Sequence, residues 1–461
     1  MTAGPVARLA RWPDAAAALA WPGGELSYGE LRARVAALAG LAAGRGAPGT
    51  PLAVITPSRV DLVLGTLAAL WLGRPALPLD PSRGDIDACL AACEPGGFLE
   101  PADFAQAVAG RLARVEGGAF LPPGEAAVAP DRPALLVPTS GTGGTTRVAM
   151  LPAAALDAHV VASMAALPSL GPADRWLVCL PANTIGALAA SWRTLTAGAC
   201  LALLERFDAT EARGLMAAGA SHVSVVPAML DALADAPGPP PRGLRCLLSG
   251  GGPLSQRAAD SARARDWPLW QGWGMTETCA HVAVGRVDET WHEGVIGPPV
   301  TGAQLTVDPG HSRLTIGGPM LMSGYARPGL APGAGLTPDG RFASADVGEL
   351  LDDGRLRILG RADDIIVTGG VNVAPGPVED VLARCPGAGE VAVTGQPDPR
   401  WGMSLVALYT GPAPAAAIEA WARAQLASEQ RPRRFLHVGA LPRNAMGKLL
   451  RGELGRLLPR E

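Results

Sequence analysis

Short apolar runs alternate along the chain with longer Ala/Leu-rich stretches that carry charges at helical spacing. Leu52–Ile55, Trp176–Leu180, Ser221–Val226 and Arg245–Leu248 are too brief for helices and are followed by turn residues, the pattern of buried strands. Their alternation with helical segments, the first after Ser27, predicts an α/β fold with layers on largely parallel sheets. From Val295 to Leu359 the texture changes to short strands punctuated by Gly, Pro and Asp, which predicts a β-rich subdomain. Leu356–Gly360 then runs into the charged turn Arg361-Ala362-Asp363-Asp364, and about a hundred residues follow with a βαβ-like pattern of their own. The expected division is a large N-terminal domain, residues 1–360, and a small α+β C-terminal domain, residues 361–461.

Bulk composition narrows the class. A 48% hydrophobic and 18% charged chain of 461 residues can bury real cores. The net charge of −3 gives no reason to expect a nucleic-acid or anionic-membrane partner. The longest apolar stretch, Leu62 to Gly73, falls well short of the ~20 residues a membrane span requires. Seven scattered cysteines fit neither a zinc site nor a disulfide framework, and suit reduced thiols in a cytoplasmic protein. Of 39 basic residues only Lys448 is a lysine. A compact ammonium retained where every other base is arginine marks a place where a planar guanidinium would not serve, although count alone leaves chance open.

Three segments could carry chemistry. Pro138 to Arg147 concentrates hydroxyls and glycines before a base, directly after the apolar run Ala134–Val137. Such a loop can fold around a phosphate, yet it has neither the Walker spacing nor the Rossmann fingerprint, and an ordinary turn remains open. Ser249-Gly250-Gly251-Gly252-Pro253 lets a flat ligand approach the backbone, or is a plain strand-to-helix turn. Gly272 to Thr278 sets Trp273 between glycines and adds Thr276 and Glu277, a face for a nucleobase followed by groups for phosphate and Mg²⁺.

These segments, in this order, resemble the core motifs of the adenylate-forming superfamily of acyl-CoA synthetases, peptide-synthetase adenylation domains and luciferases. Leu26–Leu31, Leu77–Asp80, Phe342–Gly348, Gly360–Ile365, Thr368–Pro375 and Pro442–Lys448 extend the resemblance over essentially the whole chain. It implies that Thr139, Ser140, Gly141, Thr142, Gly143, Gly144, Thr145 and Arg147 grip the outer phosphates of ATP. It implies that Gly250, Gly251, Gly252, Trp273 and Gly274 border the adenine, that Asp346 and Arg361 meet the ribose, and that Thr276 meets the α-phosphate. Glu277 and Thr142 would hold Mg²⁺, Lys448 would bridge the acyl carboxylate and the α-phosphate, and Asp363 would be the hinge of a mobile C-terminal domain. Gly369 and Gly370 would line the channel for coenzyme A. Departures from the family pattern are Arg147 for a lysine, Thr146 for a proline, Trp273 for a tyrosine and Thr184 for a histidine, the last altering the acyl pocket.

Chain length and details such as Leu244–Pro253 and Gly274–Cys279 most resemble o-succinylbenzoate-CoA ligases of menaquinone biosynthesis. In some of them a Trp-Arg pair helps to bind the ring carboxylate, and Trp192-Arg193 lies in the matching place, which makes Thr184 and Arg193 the substrate candidates. A charge within the apolar run Ile185–Leu195 needs a partner, and a structural salt bridge is as open as a ligand carboxylate. The expected partners are a small carboxylic acid, ATP and coenzyme A; a homodimer is left open. Rival readings are another aryl- or acyl-CoA synthetase, an adenylation domain that loads a carrier protein, and a non-catalytic nucleotide-binding relative. The last would be marked by loss of Glu277, Asp346 or Lys448, and all three are present.

Overall fold

A computed structural model describes residues 5–109, 131–139, 146–236, 238–443 and 449–459. The protein is of mixed α/β class: two large, mostly parallel sheets, an antiparallel sheet, and a separate C-terminal sheet. The apolar runs Leu52–Ile55, Arg175–Val178, His222–Val225 and Cys246–Ser249 are buried strands within one or two residues of their expected bounds. Strands 269–275, 246–249, 222–225, 175–178 and 200–203 lie side by side and parallel in an eight-stranded sheet. Burial on both faces explains why they read as continuous apolar runs rather than alternating ones. Strands 133–139, 76–79, 52–55 and 97–99 form the parallel part of a six-stranded sheet, to which strand 147–152 adds antiparallel beside 133–139.

The largest apolar cluster draws residues from both sheets and from helices 28–42, 59–71, 153–166 and 185–196. Strands 295–297, 304–307, 313–317, 342–350 and 356–361 form the antiparallel sheet, so the Gly/Pro/Asp-punctuated region is β-rich as expected. From Ile366 onward a separate sheet of strands 366–368, 371–373, 391–398, 402–409 and 434–437 has its own core under helices 375–383 and 415–425. In an open α/β sheet, ligands bind beyond the carboxyl ends of parallel strands. Here those ends are Val178, Val225, Ser249 and Met275. No helix among the described residues is long and apolar enough to cross a membrane.

The segment Leu26–Leu31 has a local structural meaning. Ser27 caps helix 28–42: its hydroxyl accepts from the Glu30 backbone N–H at 3.3 Å, and the Glu30 carboxylate accepts from the Ser27 N–H at 2.8 Å. This reciprocal box satisfies two orphan donors of the first turn. Ser27→Ala is expected to destabilise the N-terminal unit by about 1 kcal/mol in denaturant titrations, with turnover per folded molecule unchanged.

Candidate active site

Gly250 follows strand 246–249, its N–H donating to Val225 O at 3.2 Å, and Gly251 has φ +76°. Strand 269–275 runs beside it, so the triple-glycine turn and Trp273 share one edge of the sheet. At Gly274 a Cβ would stand 1.8 Å from Ala280 O, a position closed to any side chain. The strand then breaks into the 3₁₀ turn Thr276–Thr278, followed by Cys279 and Ala280 at φ +56° and +106°. Non-glycine residues in that region are strained and are kept there by surrounding contacts. Thr278 supplies them, its hydroxyl accepting from Met275 N at 3.1 Å and donating to Ala280 O at 2.7 Å.

The same turn presents Glu277, whose carboxylate accepts from the Tyr325 hydroxyl at 2.5 Å although the residue is only 9% exposed. Burial, then the facing carboxylate, pushes the Tyr325 phenol well above its ordinary range, so it stays a donor. Met322 N donates to Glu277 O at 2.8 Å, which fixes the turn from its backbone side as well. The Arg147 guanidinium lies 5.2 Å from the Tyr325 ring centroid. Tyr325 was not among the sequence candidates. It sits on a two-residue strand in a glycine-rich stretch, and the available signal was scarcity, for the chain has three tyrosines.

Thr139 and Arg147 face each other as the register partners that close the antiparallel pair 133–139 and 147–152. Ser140, Gly141, Thr142, Gly143, Gly144 and Thr145, the rest of the hydroxyl/glycine segment, lie outside the described residues. Thr146 donates to Asp85 at 2.8 Å, and Asp85 is held by Nε and Nη2 of Arg83 at 2.9 and 2.7 Å. Lys448 also lies outside the described residues.

Trp273, Asp346 and Arg361 do come together. The indole Nε1 donates to Asp346 at 2.8 Å, and Arg361 stands 3.5 Å from the other carboxylate oxygen. Asp346 and Arg361 are register partners on adjacent strands, and Arg361 also reaches Asp363 at 3.4 Å. Gly369 and Gly370, at φ +58° and +82°, make the two-residue turn of hairpin 366–373. Both positive angles are what a right-twisted hairpin with a two-residue loop requires. Gly369 N donates to Trp401 O at 2.9 Å, and the Arg400 and Arg433 guanidiniums lie 5.0 and 4.9 Å from the Trp401 ring.

The two acyl-pocket candidates are separate points. Thr184 is the residue before helix 185–196 and its hydroxyl is spent on Pro181 O at 2.7 Å. Arg193 lies nine residues on, about 13 Å along the axis and roughly half a turn round. Its neighbour Trp192 points elsewhere and donates to Asp157 at 2.9 Å. Arg193 is 2% exposed, rests 4.4 Å from the Trp176 ring, and donates to Ser163 Oγ at 3.1 Å, while its Nε has no partner. Among the described residues no carboxylate pairs with it, so the structural salt bridge allowed by the sequence is not the one formed. Around it sit further unpaired polar atoms: both nitrogens of His159 and Nε2 of His281, the rings edge to face at 4.7 Å. Cys246, also beside it, is a neutral thiol pushed up to about 12 by burial. Burial lowers the guanidinium to about 10, so it remains charged at neutral pH.

This arrangement can be set beside known proteins. Residues 6–326 match the family model described as AMP-binding enzyme, and residues 377–448 match the AMP-binding enzyme C-terminal domain. The 2-succinylbenzoate--CoA ligase of Bacillus velezensis is 30% identical over 437 residues, covering 89% of this chain and 88% of that protein. The feruloyl-CoA synthase of an Amycolatopsis species is 32% identical, covering 97% of each. Among solved structures, the o-succinylbenzoate CoA synthetase of Bacillus subtilis with its acyl-adenylate intermediate superposes with TM-score 0.84 at 25% identity, covering 98% and 97%. ATP-bound MatB of Rhodopseudomonas palustris gives 0.84 at 27% identity over 99% of both chains.

The buried histidines generate a pH dependence. Burial lowers His222 to about 4 and His281 to about 3, and holds His159 well below its ordinary value. The unfolded chain takes up protons below pH ~6.5 that the folded protein refuses, so stability is full above that pH and is lost as pH falls. The expected slope is about 1.4 kcal/mol per pH unit for each histidine below pH ~6.5, continuing towards the folded values. Denaturant midpoints recorded between pH 7.5 and 5 should show it, and His281→Gln should flatten it; an unchanged slope in that variant would refute the assignment.

Proposed function

Because the chain belongs to the AMP-binding enzyme family and within it is an AMP-forming acyl-CoA ligase, we propose that it activates o-succinylbenzoate with ATP and passes the acyl group to coenzyme A, in the cytoplasm, as a step of menaquinone biosynthesis. The observation that supports this substrate is Arg193. A desolvated guanidinium without a counter-ion is costly, and an arriving carboxylate offsets that cost. An acid with two carboxylates can react at one and anchor the other there. Feruloyl-CoA synthase, named among the relatives, points to the alternative of a monocarboxylic aryl acid, which would leave Arg193 without an anion.

Two anions must meet in the first step. A carboxylate oxygen attacks the α-phosphorus, the bond to the β-phosphate breaks, and pyrophosphate leaves with the electron pair. In the second, a thiolate sulfur attacks the acyl carbon and AMP departs. Preorganised cations and donors lower both barriers. The loop from Thr139 to Arg147 would grip the outer phosphates and Thr276 the α-phosphate. Trp273 and the Gly250–Gly252 turn would flank the adenine, while Asp346 and Arg361 would take the ribose. Glu277, a buried carboxylate already oriented by Tyr325, suits Mg²⁺, which is usually held by one or two carboxylates plus substrate phosphates. With Thr142 it would hold that ion, which when bound neutralises phosphate charge. The Bacillus subtilis synthetase solved with ATP and magnesium supports this choice of cofactors. Arg400 and Arg433, held on the Trp401 ring beside the Gly369-Gly370 turn, would offer two cations to the phosphates of coenzyme A.

Two measurements test the reading. Lys448→Ala should reduce ATP–pyrophosphate exchange by roughly 100-fold or more while leaving the melting temperature in place. Lys448→Arg should also be poor; full activity there would show that composition alone explains the single lysine. Arg193→Ala should abolish turnover of o-succinylbenzoate while sparing a monocarboxylic aryl acid. Equal loss on both acids would overturn the substrate assignment, and no exchange with any acid in the parent protein would overturn the ligase reading itself.

A further inference from the structure

Three buried side chains, each from a different element, bring unpaired polar atoms together around Arg193. His159 and Ser163 stand one turn apart on helix 153–166 and so share a face, and Ser163 accepts from Arg193 on helix 185–196. The His159 ring meets the ring of His281, on strand 280–286, edge to face at 4.7 Å. Among the described residues, Nε of Arg193, both nitrogens of His159 and Nε2 of His281 have no hydrogen-bond partner. Buried polar atoms without a partner are rare in folded proteins, and these lie on three neighbouring side chains. The Arg193 charge acts on both rings and adds to burial in keeping them neutral.

The hairpin that carries the turn with Thr276 and Glu277 also places His281. It is the register partner of Gly274, in the second pair from that turn. A Cβ at Gly272 would stand 3.2 Å from the His281 Cβ, so this motif glycine gives the ring its room. His281 therefore adjoins both the turn and Arg193. A water molecule satisfies an imidazole nitrogen but leaves a buried guanidinium charge unanswered. A carboxylate answers both, since its two oxygens accept several hydrogen bonds and a neutral imidazole has one N–H to give. One cation among neutral donors also matches a single negative charge and would leave a doubly charged group uncompensated.

We propose that His281 and His159 are specificity-determining residues whose imidazole N–H groups hold, together with Arg193, the second carboxylate of the acid, His281 donating from Nε2. This rests on the reading of Arg193 as the anchor of that carboxylate. The guanidinium neutralises the anion, and the imidazoles fix its direction. They also discriminate, because an acid with no oxygen at this place leaves the buried donors unpaired.

The test is a nuclear magnetic resonance titration of the full chain, isotope-labelled at the histidine nitrogens. The chain has six histidines, and the signals lost in His159→Gln and in His281→Gln identify the two rings. Adding o-succinylbenzoate should move the His281 Nε2–H signal and a His159 N–H signal. Benzoylpropionate, the same keto acid without the ring carboxylate, should leave both in place. His281→Phe keeps a ring and removes the donor. Its dissociation constant for o-succinylbenzoate should rise about tenfold with that for benzoylpropionate unchanged, and His281→Gln, which offers an amide N–H, should recover most of the loss. Imidazole signals unmoved by o-succinylbenzoate in the parent chain would overturn the proposal, and with ATP–pyrophosphate exchange intact would leave the ligase reading standing. Equal weakening of both acids in His281→Phe would overturn it too. Movement of both signals in a chain that shows no exchange with any acid would support the site and count against the ligase reading alone.

Discussion

A single carboxylate holds together the parts of the site that the chain keeps far apart. Asp346 accepts from the Trp273 indole and faces the Arg361 guanidinium, joining segments 73 and 15 residues away. Antiparallel pairing sets the second contact, because Asp346 and Arg361 are register partners and a one-residue slip would turn one of them to the other face. A partly exposed pair at 3.5 Å adds little to stability on its own. What it contributes is alignment: the indole, the carboxylate and the last strand of the antiparallel sheet become one body. Tryptophan at this place keeps a π face and adds a ring N–H, the donor that makes the first contact possible.

Arg193 shows the opposite balance. Most ion pairs of this protein are at least partly exposed, where a guanidinium loses little hydration. Arg193 loses nearly all of it and receives one hydroxyl and one indole face in return. Trp176 is also stacked with His222, at 4.8 Å, and that ring is bound through Ser221 to Asp174. The contacts of Arg193 thus lead through Trp176, His222 and Ser221 to the Asp174 carboxylate, which makes no ion pair with it. Its charge also helps to keep His159 and His281 neutral, so of these three side chains only Arg193 is charged.

The strands and the sheet class were legible because buried parallel strands are read from short apolar runs, which need no knowledge of their neighbours. Leu52–Ile55 came out with its bounds unchanged for that reason. The motif glycines were legible too, and Gly274 shows the physical cause, since backbone from Ala280 occupies the space of a side chain. What could not be read was any contact assembled from several elements. The surroundings of Arg193 come from residues 159, 163, 176, 246 and 281, on helices and strands scattered over more than a hundred positions. Tyr325 belongs to the same class: its partner Glu277 is 48 residues away, and nothing in Ser323-Gly324-Tyr325 announces a hydroxyl aimed at a buried acid.

The arginine-rich composition can be judged from geometry. Arg147 over Tyr325, Arg193 over Trp176, and Arg400 and Arg433 over Trp401 all place a guanidinium against an aromatic ring. Arg451 uses its fork on one carboxylate and its Nε on another. In each case a flat, weakly hydrated cation does what a lysine would do less well. Substitution towards arginine was therefore compatible with the fold wherever a plane or a fork could be used. Bridging two anions that converge on a bond being made is a different demand, because a compact charge with free rotation follows the moving oxygens while a fixed plane cannot. That contrast, more than the rarity of lysine, is what the role proposed for Lys448 rests on.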